Sequence, residues 1–294
     1  MFSAQFGRLI TAMVTPFKED LSLDFASLEK LIEHLIQNKT TSLLITGTTG
    51  ENPTLTYDEE WELLKTTKSI VKGRIPIIFG AGSNSTQTAC ETSKRAEELG
   101  ADAILSIAPY YNKPNQEGIL AHFSAIANSV KVPIILYNNP GRTCSTIEAE
   151  TVFQLNEKFA HICAIKESSG SLDSITQLKL KTEKVEIYCG DDNLILPALS
   201  VGAVGAVSVT SHIAGLLINN LIEKFFNGNN QETVIIHSKL FNLFKILFCS
   251  PSPGPVKYLL KEMGICEDYL RLPLTPPTET VRNSLKQIFN ELCF

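Results

Sequence analysis

The stretch "IPIIFGAGSNSTQTACETSKRAEELGADAILSIA", residues 75–108, decides the fold. It opens on the apolar run "IPIIFGAG" and passes through "TQTACETSKRAEELG", an amphipathic helical pattern that stops on Gly100. It closes on a second apolar run, "DAILSIA". Strands that are apolar without alternation belong to a parallel sheet covered on both faces.

The same unit repeats along the chain. β-rich runs stand at "LITAMV" near 10, "SLLIT" near 43, "VPIILYN" near 133, "ICAIKE" near 163, "VEIYCG" near 186 and "VGAVSVT" near 205, which with the two above makes eight strands. The intervals carry helical patterns such as "DFASLEKLIEHLIQN", where Phe25, Leu28, Leu31, Ile32, Leu35 and Ile36 share a face. Eight strand-helix units that close on themselves predict an α/β fold of the (β/α)8 TIM-barrel class. The rival, a doubly wound open sheet, usually carries Gly-x-Gly-x-x-Gly after its first strand, and "TAMVTPFKED" stands there instead. Beyond the eighth strand, "AGLLINNLIEKFFNG", "ETVIIHSKLFNLFKILF", "GPVKYLLKEMG" and "ETVRNSLKQIFNELCF" exceed the one helix that a barrel needs to close. The expected organisation is a catalytic barrel over 1–225 and a C-terminal helical extension over 226–294, packed on the barrel.

Composition narrows the function. With 44% hydrophobic and 19% charged residues and a net charge of -5, the 294-residue chain suits a soluble globular protein and offers no basic patch for nucleic acid. Cys90, Cys144, Cys163, Cys189, Cys249, Cys266 and Cys293 are odd in number and scattered, without a Cys-x-x-Cys pair, and are expected to be reduced core thiols. The start, "MFSAQFGRLITAMVTPF", lacks the layout of a secretory signal, and no segment approaches the roughly 20 apolar residues of a membrane span. A cytoplasmic protein with no membrane partner is the expectation.

In such a barrel the ligand site lies in the loops that follow the strands. Strand two leads into "TGTTGENPTL", residues 46–55, where a Gly-x-x-Gly turn can aim N–H groups at an anion and the threonines can add hydroxyls, although glycine and threonine are also ordinary loop residues. Lys166 closes the apolar strand six. A lysine there either snorkels to solvent or, as a neutral amine in a dry pocket, adds to a carbonyl to form a Schiff base. Tyr137, ending "IILY", is either a proton carrier or a core tyrosine with a wet hydroxyl. Arg142 in "PGRT" can fork a carboxylate or stand free on the surface. Tyr110 and Tyr111 form an aromatic pair beside Pro109. Asp191 and Asp192 suit solvent or a helix cap better than a metal, and His34, His122, His161, His212 and His237 lie without metal-ligand spacing, so no metal site is assigned.

Taken together, "GTTGE" (47–51), "YYNKP" (110–114), "YNNPGRT" (137–143), "KESSG" (166–170), "GDD" (190–192) and "SVTSH" (208–212) occur in order and spacing. They resemble the dihydrodipicolinate synthase branch of the pyruvate-dependent class I aldolase superfamily, over nearly the whole chain. The resemblance implies condensation of pyruvate with L-aspartate 4-semialdehyde on the diaminopimelate route to lysine, without a metal or organic cofactor. It makes Lys166 the Schiff-base lysine and Tyr137 the relay tyrosine, with Thr48 linking Tyr137 to Tyr111, a tyrosine that reaches into a neighbouring subunit. Thr48 and Thr49 match the pair that holds the pyruvate carboxylate. Arg142 matches the arginine that receives the semialdehyde, and Gly190 and Val207 match positions whose backbone lines the site. A homotetramer, a dimer of dimers, is implied.

Two positions depart from lysine-inhibited members, whose allosteric cleft uses a histidine and a glutamate where Glu60 and Thr88 stand here, although Asn84 and Tyr110 match. Weak feedback by lysine is the expectation. N-acetylneuraminate lyase and the keto-deoxy sugar acid aldolases share the lysine, the tyrosine and the turn, but Arg142 and the double threonine favour the synthase. A catalytically idle barrel that binds a ligand is the reading from another class, and nothing essential to the site is missing.

Overall fold

The computed structural model describes residues 4–292. Eight strands, β1 (Leu9–Ala12), β2 (Ser42–Ile45), β3 (Ile77–Gly80), β4 (Ala103–Ile107), β5 (Ile134–Asn138), β6 (Ile162–Glu167), β7 (Glu186–Cys189) and β8 (Gly205–Ser208), form a closed barrel in chain order. The recorded neighbour pairs are parallel. Each strand lies inside an expected run, and helices fill the intervals: the fold is a TIM barrel. The chain also divides into two compact units. One holds Pro76–Val207 with the chain up to Arg8, the other Leu9–Ile75 with the chain from Ser208 onward.

In the first unit, α3 (Thr86–Glu98), α4 (Gln116–Ser129), α6 (Ala149–Lys158), α7 (Leu172–Lys181) and α8 (Ile195–Ser200) cover β3 to β7, and the short α5 (Pro140–Thr143) follows β5. Every residue of β5 is buried, the core signature of a strand enclosed on both faces. Helix α3 starts on a Ser85 side chain that accepts the Thr88 N–H, and it is followed by Gly100 at φ +87°, a left-handed position that glycine occupies without a Cβ clash. The expected stop is therefore where the chain turns.

In the second unit, α1 (Phe25–Gln37) and α2 (Tyr57–Val71) flank β2, and α9 (Ser211–Phe226), α10 (Asn230–Ile246), α11 (Gly254–Glu262) and α12 (Glu279–Glu291) make the C-terminal helices. Leu28, Leu31, Ile32 and Leu35 of α1 are buried, as its periodicity predicts. Helix α2 begins with a reciprocal capping box between Thr56 and Glu59. His212 is a structural histidine. Its Nδ1–H donates to the Val209 carbonyl at 2.7 Å and its Nε2 accepts the Val14 N–H at 3.2 Å, while burial pushes its pKa down to about 4 and keeps it neutral.

The C-terminal helices are tied to the turn after β2 by ion pairs. Lys257 of α11 places Nζ 2.5 Å from Glu51 Oε1 and 2.8 Å from the Tyr269 carbonyl, and both side chains of this pair are 0% exposed. Arg271 adds its N–H to Glu51 Oε2 at 3.1 Å, and its guanidinium donates to Glu59, the Thr54 carbonyl and the Leu21 carbonyl. Phe17 lies beneath both cations, its ring 4.2 Å from Lys257 Nζ and 4.5 Å from the Arg271 guanidinium carbon.

Two expectations need correction. The cysteines are free, but only Cys189 and Cys266 are buried; Cys90 and Cys163 are half-buried, Cys144 and Cys249 are exposed, and Cys293 lies outside the described residues. Cys144 is exposed because it caps the short α5 in a left-handed conformation, φ 54°, at the barrel rim rather than in a strand. The adjacent aspartates differ from expectation in part: Asp191 is half-buried at the N-cap position of the short 3-10 turn Asp192–Leu194, but its carboxylate is used elsewhere. Asp192 is buried, and Asp191 accepts the Gly170 N–H at 3.1 Å and makes no side-chain cap bond; burial raises its pKa. Among the described residues no group of His, Cys, Asp and Glu could hold a metal ion, and no helix is long and apolar enough to cross a membrane.

Candidate active site

The parallel ladder of the first unit sets the site. β5 and β6 pair with Tyr137 opposite Lys166 and Asn138 opposite Glu167, and β6 and β7 pair with Lys166 opposite Tyr188. Successive strand residues point to opposite faces, so Tyr137 and Lys166 share one face and Asn138 and Glu167 the other. Lys166 is 8% exposed and Tyr137 6%. The lysine Nζ lies 4.4 Å from the centroid of the Tyr137 ring. This places the expected nucleophile against the expected proton carrier.

The reverse face is a brace. Glu167, buried, accepts the Asn138 Nδ2–H and the Ser169 N–H, each at 2.8 Å, and Asn138 Oδ1 accepts the Ile147 N–H at 3.0 Å. The ladder also runs past the strand ends, with Ser168 N–H donating to the Asn138 carbonyl at 2.9 Å and Gly190 N–H to the Glu167 carbonyl at 2.8 Å. Buried groups satisfied in this way fix the strand ends, and with them the lysine and the tyrosine.

Gly190, at the end of β7, is required by space. A Cβ there would stand 2.8 Å from Lys166 Cε and closer still to Ser168 Oγ. A Gly190→Ala variant is expected to lose about 10²-fold or more in kcat/KM, because displacing a reacting group by about 1 Å costs on that order. Steady-state rates on the folded variant check this, and rates within twofold of wild type would refute it. Val207 of β8 is buried. Ser168 was not singled out from the sequence; its Oγ is buried without a hydrogen-bond partner among the described residues, and it sits over Gly190 beside the lysine.

Arg142 lies on α5 and is exposed. Among the described residues no carboxylate pairs with it, which leaves the guanidinium available to an incoming anion. Tyr111 is tied to the same turn, its N–H donating to the Thr143 carbonyl at 3.3 Å, and its side chain is 87% exposed on a backbone at φ +75°. A bulky residue held in the left-handed region with its ring in solvent is strained, and such strain is characteristic of functional segments.

The turn that carries Thr48 and Thr49 belongs to the second unit. Gly50 N–H donates to the Gly47 carbonyl at 3.0 Å and Glu51 N–H to the Thr48 carbonyl at 3.1 Å, while Thr15 Oγ1 holds the Gly50 carbonyl at 2.7 Å. The left-handed residues are Thr46 (φ 53°) and Glu51 (φ 57°), and the glycines are not among them. Gly50 is needed for closeness instead, since a Cβ would come within 3.2 Å of the Met13 carbonyl oxygen. Thr49 is buried and Thr48 half-buried.

The dihydrodipicolinate synthetase family model matches residues 5–292. The chain belongs to this family. It is 46% identical over 288 residues to the 4-hydroxy-tetrahydrodipicolinate synthase of Bacillus subtilis strain 168, covering 98% of this chain and 99% of that protein. Among solved structures of the family, a dihydrodipicolinate synthase from Bacillus anthracis superposes with a TM-score of 0.95 at 42% identity, over 98% of this chain and 99% of that one. The enzyme from Cyanidioschyzon merolae, with lysine bound, gives 0.95 at 44% identity, over 98% of both chains. As a member of the family the chain is a lyase of the class I aldolase type.

Proposed function

We propose that the chain condenses pyruvate with L-aspartate 4-semialdehyde as a 4-hydroxy-tetrahydrodipicolinate synthase, through an iminium on Lys166. The observation that carries the assignment of residues is the buried lysine paired in register with Tyr137, its Nζ 4.4 Å from the ring, opposite a glycine that leaves room for it. The lysine amine adds to the pyruvate ketone and water leaves. The iminium then draws electrons from the adjacent methyl, which loses a proton to give an enamine. The enamine carbon attacks the aldehyde, forming the C–C bond, and the amino group of the semialdehyde displaces Lys166 from the imine carbon to close the ring. Tyr137 carries protons in the addition and dehydration steps, with Thr48 and Tyr111 completing its relay. Thr48 and Thr49 hold the pyruvate carboxylate, Gly190 and Val207 line the site, and Arg142 receives the carboxylate of the second substrate.

Residues 1–225 form the catalytic barrel and residues 226–294 the extension that clamps the turn after β2. The strained, exposed Tyr111 supports a homotetramer in which it meets a neighbouring subunit, which sedimentation of the purified protein checks. We place the enzyme in the cytoplasm, where subcellular fractionation should find it.

The test of the reaction is pyruvate consumption with L-aspartate 4-semialdehyde, run beside N-acetylmannosamine, with borohydride trapping of pyruvate on the protein. Consumption with the semialdehyde alone, and a trapped adduct on the Lys166 peptide heavier by pyruvic acid less one oxygen, support the assignment. Consumption with the sugar moves the chain to the lyase branch, and absence of an adduct overturns the iminium.

Lysine is expected to inhibit weakly. Thr88 offers no carboxylate to an inhibitor's ammonium, and its hydroxyl is already bonded to Ser85 Oγ at 3.0 Å. Glu60 is buried, accepts from Asn52 Nδ2, and is pushed by burial up to about 7, so it does not replace the missing group. Initial rates with added lysine decide this, and half-inhibition at sub-millimolar lysine would refute it.

A further inference from the structure

Asn139 stands between the relay tyrosine and the arginine turn and bonds to both. Its Nδ2 lies 3.0 Å from Tyr137 Oη, and its Oδ1 accepts the Arg142 N–H at 3.1 Å as the N-cap of α5. The amide cannot be turned round without loss, because only the oxygen can accept the Arg142 N–H. The amino group therefore faces the tyrosine, and the Tyr137 oxygen is an acceptor in this bond. Its own hydrogen must point elsewhere, and one lone pair remains free. A group that passes protons needs that combination, one hydrogen to give and one lone pair to receive, with the oxygen held in place between the two transfers.

We infer that Asn139 is a positioning residue for the reaction: it directs the Tyr137 hydroxyl, supports the oxygen while its proton is away, and couples it to the turn that presents Arg142. This rests on the reading of Tyr137 as the proton carrier. The amide neither gains nor loses a covalent bond; it keeps both hydrogens, and the proton that Tyr137 donates goes to the substrate or its relay partner.

The two bonds can be separated by substitution. Asn139→Asp keeps an oxygen to accept the Arg142 N–H, and hence the cap, but has no hydrogen to give Tyr137. Asn139→Ala removes both bonds and adds no charge. With pyruvate and L-aspartate 4-semialdehyde, both variants are expected to lose about 10-fold to 10²-fold in kcat, the lower part of the range for proton transfer by a side chain. KM for pyruvate should stay within about twofold, and the solvent deuterium isotope effect on kcat should rise as proton transfer becomes limiting. Asn139→Asp should melt with the wild type, and Asn139→Ala somewhat below it. Borohydride trapping of pyruvate is run on all three proteins. If the wild type forms no adduct, the Schiff-base assignment fails and not this one. If the wild type traps pyruvate but Asn139→Asp keeps wild-type kcat, or loses kcat with an unmoved isotope effect, the role of Asn139 is overturned.

Discussion

Lys166→Ala is expected to lose at least about 10³-fold in kcat with pyruvate and L-aspartate 4-semialdehyde, about 4 kcal/mol of barrier, and to form no borohydride adduct. The size of the effect follows from the step removed. Without the amine there is no iminium, and deprotonation of the pyruvate methyl then has no adjacent positive nitrogen to accept the electrons. Lys166→Arg separates charge from nucleophilicity. A guanidinium keeps the cation near the Tyr137 face but does not give up its proton, so this variant should be as inactive as the alanine one. Stability should move the other way. Lys166 is buried, and among the described residues it has no ion pair, so removing it relieves a desolvated amine. The melting midpoint of Lys166→Ala is expected to equal or exceed that of the wild type, the trade expected where function requires a poorly solvated group. A variant that keeps a tenth of wild-type activity, or one that fails only because it unfolds, would contradict this account.

Lys257→Met is expected to destabilise the fold by about 3–5 kcal/mol, the usual cost of removing one partner of a fully buried ion pair. Burial lowers the lysine pKa and the Glu51 carboxylate beside it raises it, so the pair persists because each charge offsets the desolvation of the other. In the methionine variant the Glu51 carboxylate keeps, among the described residues, only the Arg271 N–H and is left as a buried charge. Adding Glu51→Gln removes that charge, and the double variant should regain most of the loss. Urea unfolding of the wild type, both single variants and the double variant gives the coupling directly. Equal, additive losses in the two single variants would show that the pair contributes through packing and not through charge.

The barrel was legible because its signal is local. A strand enclosed on both faces is apolar along its length, as β3 is and as β5 and β6 are until Asn138, Lys166 and Glu167 at their ends, and Gly100 announces the end of α3 through its own backbone. The family motifs named Lys166, Tyr137 and Gly190, and the first unit brings these three together. What could not be read depends on partners distant in sequence. Lys257 is an ordinary helix residue until Glu51 is placed beside it, and the Asp191 carboxylate has no evident partner until Gly170 arrives at its oxygen. Asn139 had a local signal, an asparagine before a proline, which reads as a turn or a cap. Its second bond, to Tyr137, follows from the direction the strand end takes. The cysteines misled because residue type alone does not fix burial in a turn, and Cys144 and Cys249 emerge in the turns after α5 and α10.

Glu51 and Lys257 are separated by 206 positions. At translation speeds of about 5–20 residues per second, the turn that carries Thr48 and Thr49 leaves the ribosome about 10–40 s before its lock is synthesised. Through that interval the Glu51 carboxylate lacks the cation that it meets in the folded chain. A nascent chain released before Lys257 is added therefore carries the lysine strand and all eight strands of the barrel without the lock, and the turn after β2 depends on a residue made 206 positions after it.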